Sequence, residues 1–132
     1  MKTTLKLTIL LFVAVLSISC NTKSKSQSDS ISVITPTEFK EKSVNHTIID
    51  VRTPQEFSEG HIDGAVNINF FDETFLDQMA KFEKNEPLFV YCKSGNRSGK
   101  AAKKITASGF KQVYDLEGGI LNWVRSNNET VK

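Results

Sequence analysis

The chain has 132 residues, 39% hydrophobic and 24% charged, a composition ordinary for a globular protein. Its formal charge is +2; two of its basic residues, Lys2 and Lys6, stand at the extreme N-terminus, and from Cys20 onward 15 basic residues face 15 acidic ones. Such a balance argues against a general nucleic-acid binder, whose footprint is a broad basic face.

Lys2 and Lys6 introduce an apolar run, Leu7 to Ile18, interrupted by Thr8 and Ser17 and closed by the small-x-small sequence Ser17-Ile18-Ser19. This is the layout of a secretory signal peptide, and about 12 apolar residues fall short of the ~20 that span a bilayer. Leu16-Ser17-Ile18-Ser19-Cys20 resembles a bacterial lipobox, although Ser17 stands where that pattern has leucine, with Leu16 one place earlier. The resemblance implies that residues 1–20 are a lipoprotein signal, that Cys20 is lipidated, and that the protein is exported to the cell envelope. It would reside in the periplasm and touch the membrane through the lipid alone. Residues 21–30 hold no large apolar side chain and suit a flexible tether. Export places the domain in an oxidising compartment. The chain has two cysteines, so a lipidated Cys20 leaves Cys92 with no intramolecular partner, and a thiol kept alone there points to chemistry.

Residues 31–132 read as one domain of alternating elements. Ile31 to Ile34 is a short strand. Thr35 as cap and Pro36 at the first helical position open a helix through Lys42. Thr47 to Val51 is rich in β-branched residues and reads as a strand. Thr53-Pro54 starts a second helix in the same way, and Gly60 stops it. Ala65 to Ile68 is a third strand. From Phe71 to Lys84, helical spacing of Phe71, Phe75, Leu76, Met79 and Phe82 predicts one amphipathic helix with its apolar stripe in the core. Pro87 to Tyr91 is a strand, Ser98 to Ser108 a helix and Gln112 to Leu116 a strand. Gly118-Gly119 serves a turn before a last helix, Ile120 to Arg125. Alternation throughout predicts an α/β fold, a small parallel sheet with helices on both faces. Ligands of such sheets bind beyond the carboxyl ends of the strands, and Cys92 lies at one such end.

Between Cys92 and the helix at Ser98 the chain must turn through Lys93, Ser94, Gly95, Asn96 and Arg97. Gly95 permits a positive φ. A tight loop entering a helix N-terminus aims several N–H groups inward, and the helix dipole adds positive potential. This setting favours a thiolate, the nucleophilic form of cysteine, and the same N–H groups can hold an anion. Between Pro87 and Tyr114 there are six basic residues and no acid, so the neighbourhood attracts anions. Lys93 and Arg97 are the candidates for contact, because Lys100, Lys103 and Lys104 fall on the wet face of the helix. An inert buried cysteine would need none of this. The arrangement suits attack on an anionic electrophile, either at phosphorus or at the outer sulfur of thiosulfate or a persulfide.

Three stretches resemble the signatures of the rhodanese family over Val33 to Val124: I-I-D-V-R-T-P-Q-E-F-S-E-G-H-I-D-G-A-V-N-I (Ile48–Ile68), V-Y-C-K-S-G-N-R-S (Val90–Ser98) and L-E-G-G-I-L-N-W (Leu116–Trp123). The resemblance implies a rhodanese-like fold and a sulfurtransferase without metal or organic cofactor. Cys92 would take a sulfane sulfur from a small anionic donor such as thiosulfate and hold it as a persulfide. Lys93, Ser94, Gly95, Asn96, Arg97 and Ser98 would cradle it, with Lys93 and Arg97 on the donor's charge. Cyanide, a thiol or a sulfur-accepting protein would then take the sulfur. Phosphatases and arsenate reductases of this fold have five residues between cysteine and arginine. Here four lie between Cys92 and Arg97, the sulfurtransferase length. A persulfide carrier serving a partner protein is the nearest alternative. Asp50 and Arg52 are expected to support the loop by charge pairing, with Glu56 pairing Arg52. His46 and His61 stand alone, His61 as a hydrogen-bonded structural residue, and Trp123 is expected in the core.

Overall fold

Twice the chain reads Thr-Pro-x-Glu, and twice the same local physics starts a helix. In the computed structural model, which describes residues 30–132, Thr35 and Thr53 each cap a helix with Pro at its first turn. The hydroxyl accepts the N–H of the glutamate three residues on, and that glutamate reaches back to the cap's own N–H, a reciprocal capping box. The signal peptide, the lipobox with Cys20 and residues 21–29 of the tether lie outside the described residues.

The strands are β1 (Ile31–Ile34), β2 (Thr47–Asp50), β3 (Val66–Asn67), β4 (Leu88–Tyr91) and β5 (Val113–Leu116). They form one sheet in the order β1-β5-β4-β2-β3, every pairing parallel. The helices are α1 (Pro36–Lys42), α2 (Pro54–Glu59), α3 (Phe75–Met79), α4 (Asn96–Ala107) and α5 (Gly119–Arg125). β4 is central and buried along its whole length, so its alternate residues feed two cores. Leu88, Val90 and Cys92 pack with Phe75, Met79, Ala101, Ala102 and Ile105 from α3 and α4. Phe89 and Tyr91 pack with Phe39, Ile120 and Trp123 from α1 and α5. Helices therefore cover both faces of the sheet. Trp123 is in the core, and its indole N–H donates to the Glu129 carbonyl at 2.8 Å.

Two expectations are corrected. The long helix over Phe71 to Lys84 is only the single turn and a half of α3. The Asp72 side chain accepts from the Thr74 N–H (2.9 Å) and hydroxyl (2.8 Å), and Asn69 accepts from the Phe71 N–H (3.1 Å). Such local bonds compete with helix continuation. The apolar stripe is broken accordingly: Phe75 and Met79 are buried, while Phe71 is 66% exposed and Leu76 43%. In addition, α4 starts at Asn96 rather than Ser98. Gly95, at φ 100°, reverses the chain sharply enough for the helix to begin one half-turn sooner.

Candidate active site

Cys92 follows the last residue of β4 and is 1% exposed. Its Sγ accepts the Gly95 N–H at 3.1 Å. Because α4 begins at Asn96, only Lys93, Ser94 and Gly95 form the turn, and Asn96, Arg97 and Ser98 lie in the first helical turn, where N–H groups have no partner within the helix. The sulfur thus faces the positive end of a twelve-residue helix. Lys93, Ser94 and Asn96 are exposed, whereas Ser98 is buried with its hydroxyl donating to the Gly95 carbonyl at 3.3 Å.

The loop's carbonyls are held from behind. Ile120 N–H donates to the Cys92 carbonyl (2.9 Å) and Leu121 N–H to the Lys93 carbonyl (3.2 Å). The first turn of α5 therefore ties down both carbonyls. The Gly118-Gly119 pair does more than turn the chain. A Cβ on Gly119 would stand 2.5 Å from the Cys92 and Lys93 carbonyl oxygens, so only glycine allows this approach.

The other side of the loop is braced by α2. Arg97 donates from both terminal nitrogens to Glu56, at 2.7 and 2.8 Å, a two-point fork. The expected Glu56–Arg52 pair is therefore not formed. Glu56 sits at the start of α2, where it also accepts from the Thr53 N–H and hydroxyl, and its face is turned to the loop. Hydrogen bonding from Arg97, aided by Thr53, holds the Glu56 carboxyl down to about 2, against the burial that would raise it. Arg52 is instead closed on Asp50, with its Nη2 2.6 Å from the carboxylate and also donating to the Gly60 carbonyl at 2.7 Å. Both residues are buried beside the end of β4, where Val51 N–H donates to the Tyr91 carbonyl. Burial, together with the neighbouring Asp50 charge, raises the Tyr91 phenol, whose oxygen accepts the Ile62 N–H at 3.1 Å. His61 stacks on Phe57 at 3.7 Å and its Nδ1 meets the Phe57 carbonyl at 3.0 Å, a structural placement. His46 stacks on Phe89 on the opposite core.

Three contributors escaped the sequence reading. Glu56 was seen as a partner for the wrong arginine, although its capping position was legible. Gly119 was read only as a turn. Asp115, in the middle of V-Y-D-L on β5, is 4% exposed, with Oδ2 3.7 Å from where a Gly99 Cβ would stand. Burial pushes its carboxyl up to about 6, with Ser98 opposing, and its Oδ1 has no hydrogen-bond partner among the described residues.

Residues 35–126 match the Rhodanese-like domain family. Thiosulfate sulfurtransferase 16, chloroplastic, of Arabidopsis thaliana is 36% identical over 95 residues, covering 64% of this chain and 79% of that protein. Thiosulfate sulfurtransferase GlpE of Shewanella oneidensis is 35% identical over 101 residues, covering 69% of this chain and 98% of the relative. Among solved structures, a rhodanese-related protein from Thermoplasma volcanium superposes with a TM-score of 0.68 at 28% identity, covering 75% of this chain and 96% of its own.

Proposed function

This chain belongs to the rhodanese-like domain family, and from that premise we propose that it is a sulfurtransferase working through a persulfide on Cys92. The observation that carries the proposal is the Gly95 N–H donating to the Cys92 sulfur at the mouth of α4. That N–H is placed to donate to the attacking sulfur and to the outer sulfur once it is bound.

In the first half-reaction the Cys92 thiolate attacks the outer sulfur of a donor. The Cys92 S–S bond forms as the donor's own bond to that sulfur breaks. The electron pair leaves on sulfite when the donor is thiosulfate, or on a thiolate when it is a persulfide. In the second half-reaction an acceptor, cyanide or a thiol, attacks the outer sulfur and Cys92 departs as thiolate. No cofactor enters either step. The turn's N–H groups hold the migrating sulfur throughout, and α5 keeps the loop from relaxing between the two halves. Export with lipidation at Cys20 is proposed on the leader's layout.

Intact mass of the purified protein before and after thiosulfate or a persulfide tests the reading. A gain of one sulfur, about 32 Da, that cyanide removes and Cys92→Ser abolishes is expected. An unchanged mass with both donors, Cys92 still open to alkylation, sinks it.

A further inference from the structure

Two arginines stand close to the end of β4 and its loop, and each is closed on a carboxylate of the same chain. Arg52 is closed on buried Asp50. Arg97 is closed on Glu56, which the arginine keeps ionised. Lys93 is exposed on the turn. A dianion approaching Cys92 therefore meets exposed Lys93 and backbone N–H groups, and neither Arg52 nor Arg97 is left unpaired to offset the repulsion between the two reactants. The flanks of the loop differ in character. Phe71 is 66% exposed and the Arg97 guanidinium lies 5.8 Å from its ring centre. Leu121, on the other side, is 49% exposed and bonded through its N–H to the Lys93 carbonyl. Apolar surface on both sides of a loop suits a donor with a carbon substituent rather than a sulfite group.

Resting on the sulfurtransferase reading above, we propose that the site is built for an organic persulfide as sulfur donor in preference to dianionic thiosulfate, with Glu56 setting that preference by neutralising Arg97 and Phe71 by receiving the donor's carbon substituent. The transfer is then Cys92 thiolate plus R–S–SH giving the Cys92 hydropersulfide and the thiolate of R. One S–S bond forms, one breaks, and no oxidant is consumed. Glu56 is a positioning residue: it touches Arg97, not the reacting sulfur.

The test compares kcat/KM for thiosulfate and for benzyl hydropersulfide in the native protein, Glu56→Gln and Phe71→Ser. Glutamine keeps the capping box but frees the charge on Arg97. The thiosulfate-to-persulfide ratio is expected to rise about tenfold in Glu56→Gln, through KM for thiosulfate and with a new dependence on ionic strength. Phe71→Ser is expected to raise the same ratio about fivefold through weaker persulfide binding. A loop merely loosened would slow both donors together and leave the ratio where it was. An unchanged ratio in folded Glu56→Gln that still loads Cys92 overturns the donor assignment and leaves the sulfurtransferase reading standing. Should that variant not fold, an unchanged ratio in Phe71→Ser does the same. Failure of both donors to load the native protein overturns both readings.

Discussion

Gly119→Ala is the most informative single substitution, because it adds one methyl group against main chain. The new Cβ would lie 2.5 Å from the Cys92 oxygen and from the Lys93 carbonyl carbon and oxygen. No side chain can move aside to relieve the clash, so the loop and α5 must separate. Separation lengthens or breaks the Ile120-to-Cys92 and Leu121-to-Lys93 hydrogen bonds, each worth about 0.5–1.5 kcal/mol net. Gly119 also sits at φ 62°, and an L-residue in that region costs roughly 1–2 kcal/mol. Together these give about 2–5 kcal/mol of destabilisation. Urea unfolding measures that figure. Sulfur loading of Cys92, followed by mass under single-turnover conditions, measures how far the displaced turn has lost its aim at the sulfur, and a fall of tenfold or more is expected for a variant still folded at the assay temperature. Gly95→Ala is the comparison: its Cβ would meet only the Gly118 nitrogen, at an ordinary 3.7 Å, so its effect comes from its φ of 100° alone. Native stability and native loading in Gly119→Ala would refute the idea that α5 holds the loop by close approach.

Asp115→Asn tests the buried carboxylate under α4. The Asp115 carboxyl is raised by burial to about 6 in the folded state, so the native state binds the extra proton and native stability falls as pH climbs from about 4 to about 6. Asparagine removes that slope: the variant should gain up to about 3 kcal/mol over native protein at pH 8 and almost nothing at pH 4, read from urea midpoints across pH. Equal gains at both pH values would show that ionisation is not the cause. Arg52→Ala leaves the Asp50 carboxylate buried without its guanidinium and should cost about 3–5 kcal/mol; a loss under 1 kcal/mol would contradict the burial argument. Phe39→Ala empties a fully buried site in edge contact with Phe89 and Trp123 and should cost about 3–5 kcal/mol, with sulfur loading retained at temperatures well below the melting point.

Much of this molecule is local, and the local part was legible. The two Thr-Pro-x-Glu starts, the β-branched run at Thr47, and the cysteine between a buried strand and a helix each follow from neighbours within a few residues, where propensity and capping act. They suffice for the alternating α/β chain and for Cys92 at a strand's carboxyl end. The failed helix beyond Phe71 was a local error too: the apolar spacing was read, but the competing bonds from Asn69 and Asp72 were not. What the tertiary structure alone decided is who meets the Cys92 loop. In the sheet order β1-β5-β4-β2-β3, the strand that leads into Cys92 lies between β2 and β5, so the helices that follow those strands, α2 and α5, start on either side of the loop. Glu56 comes to Arg97 across 41 residues and Gly119 comes to Cys92 because of that adjacency. Hydrophobic periodicity tells a strand which faces it must bury. It says nothing of which strands become its neighbours, and here the neighbours set the charge and rigidity around the sulfur.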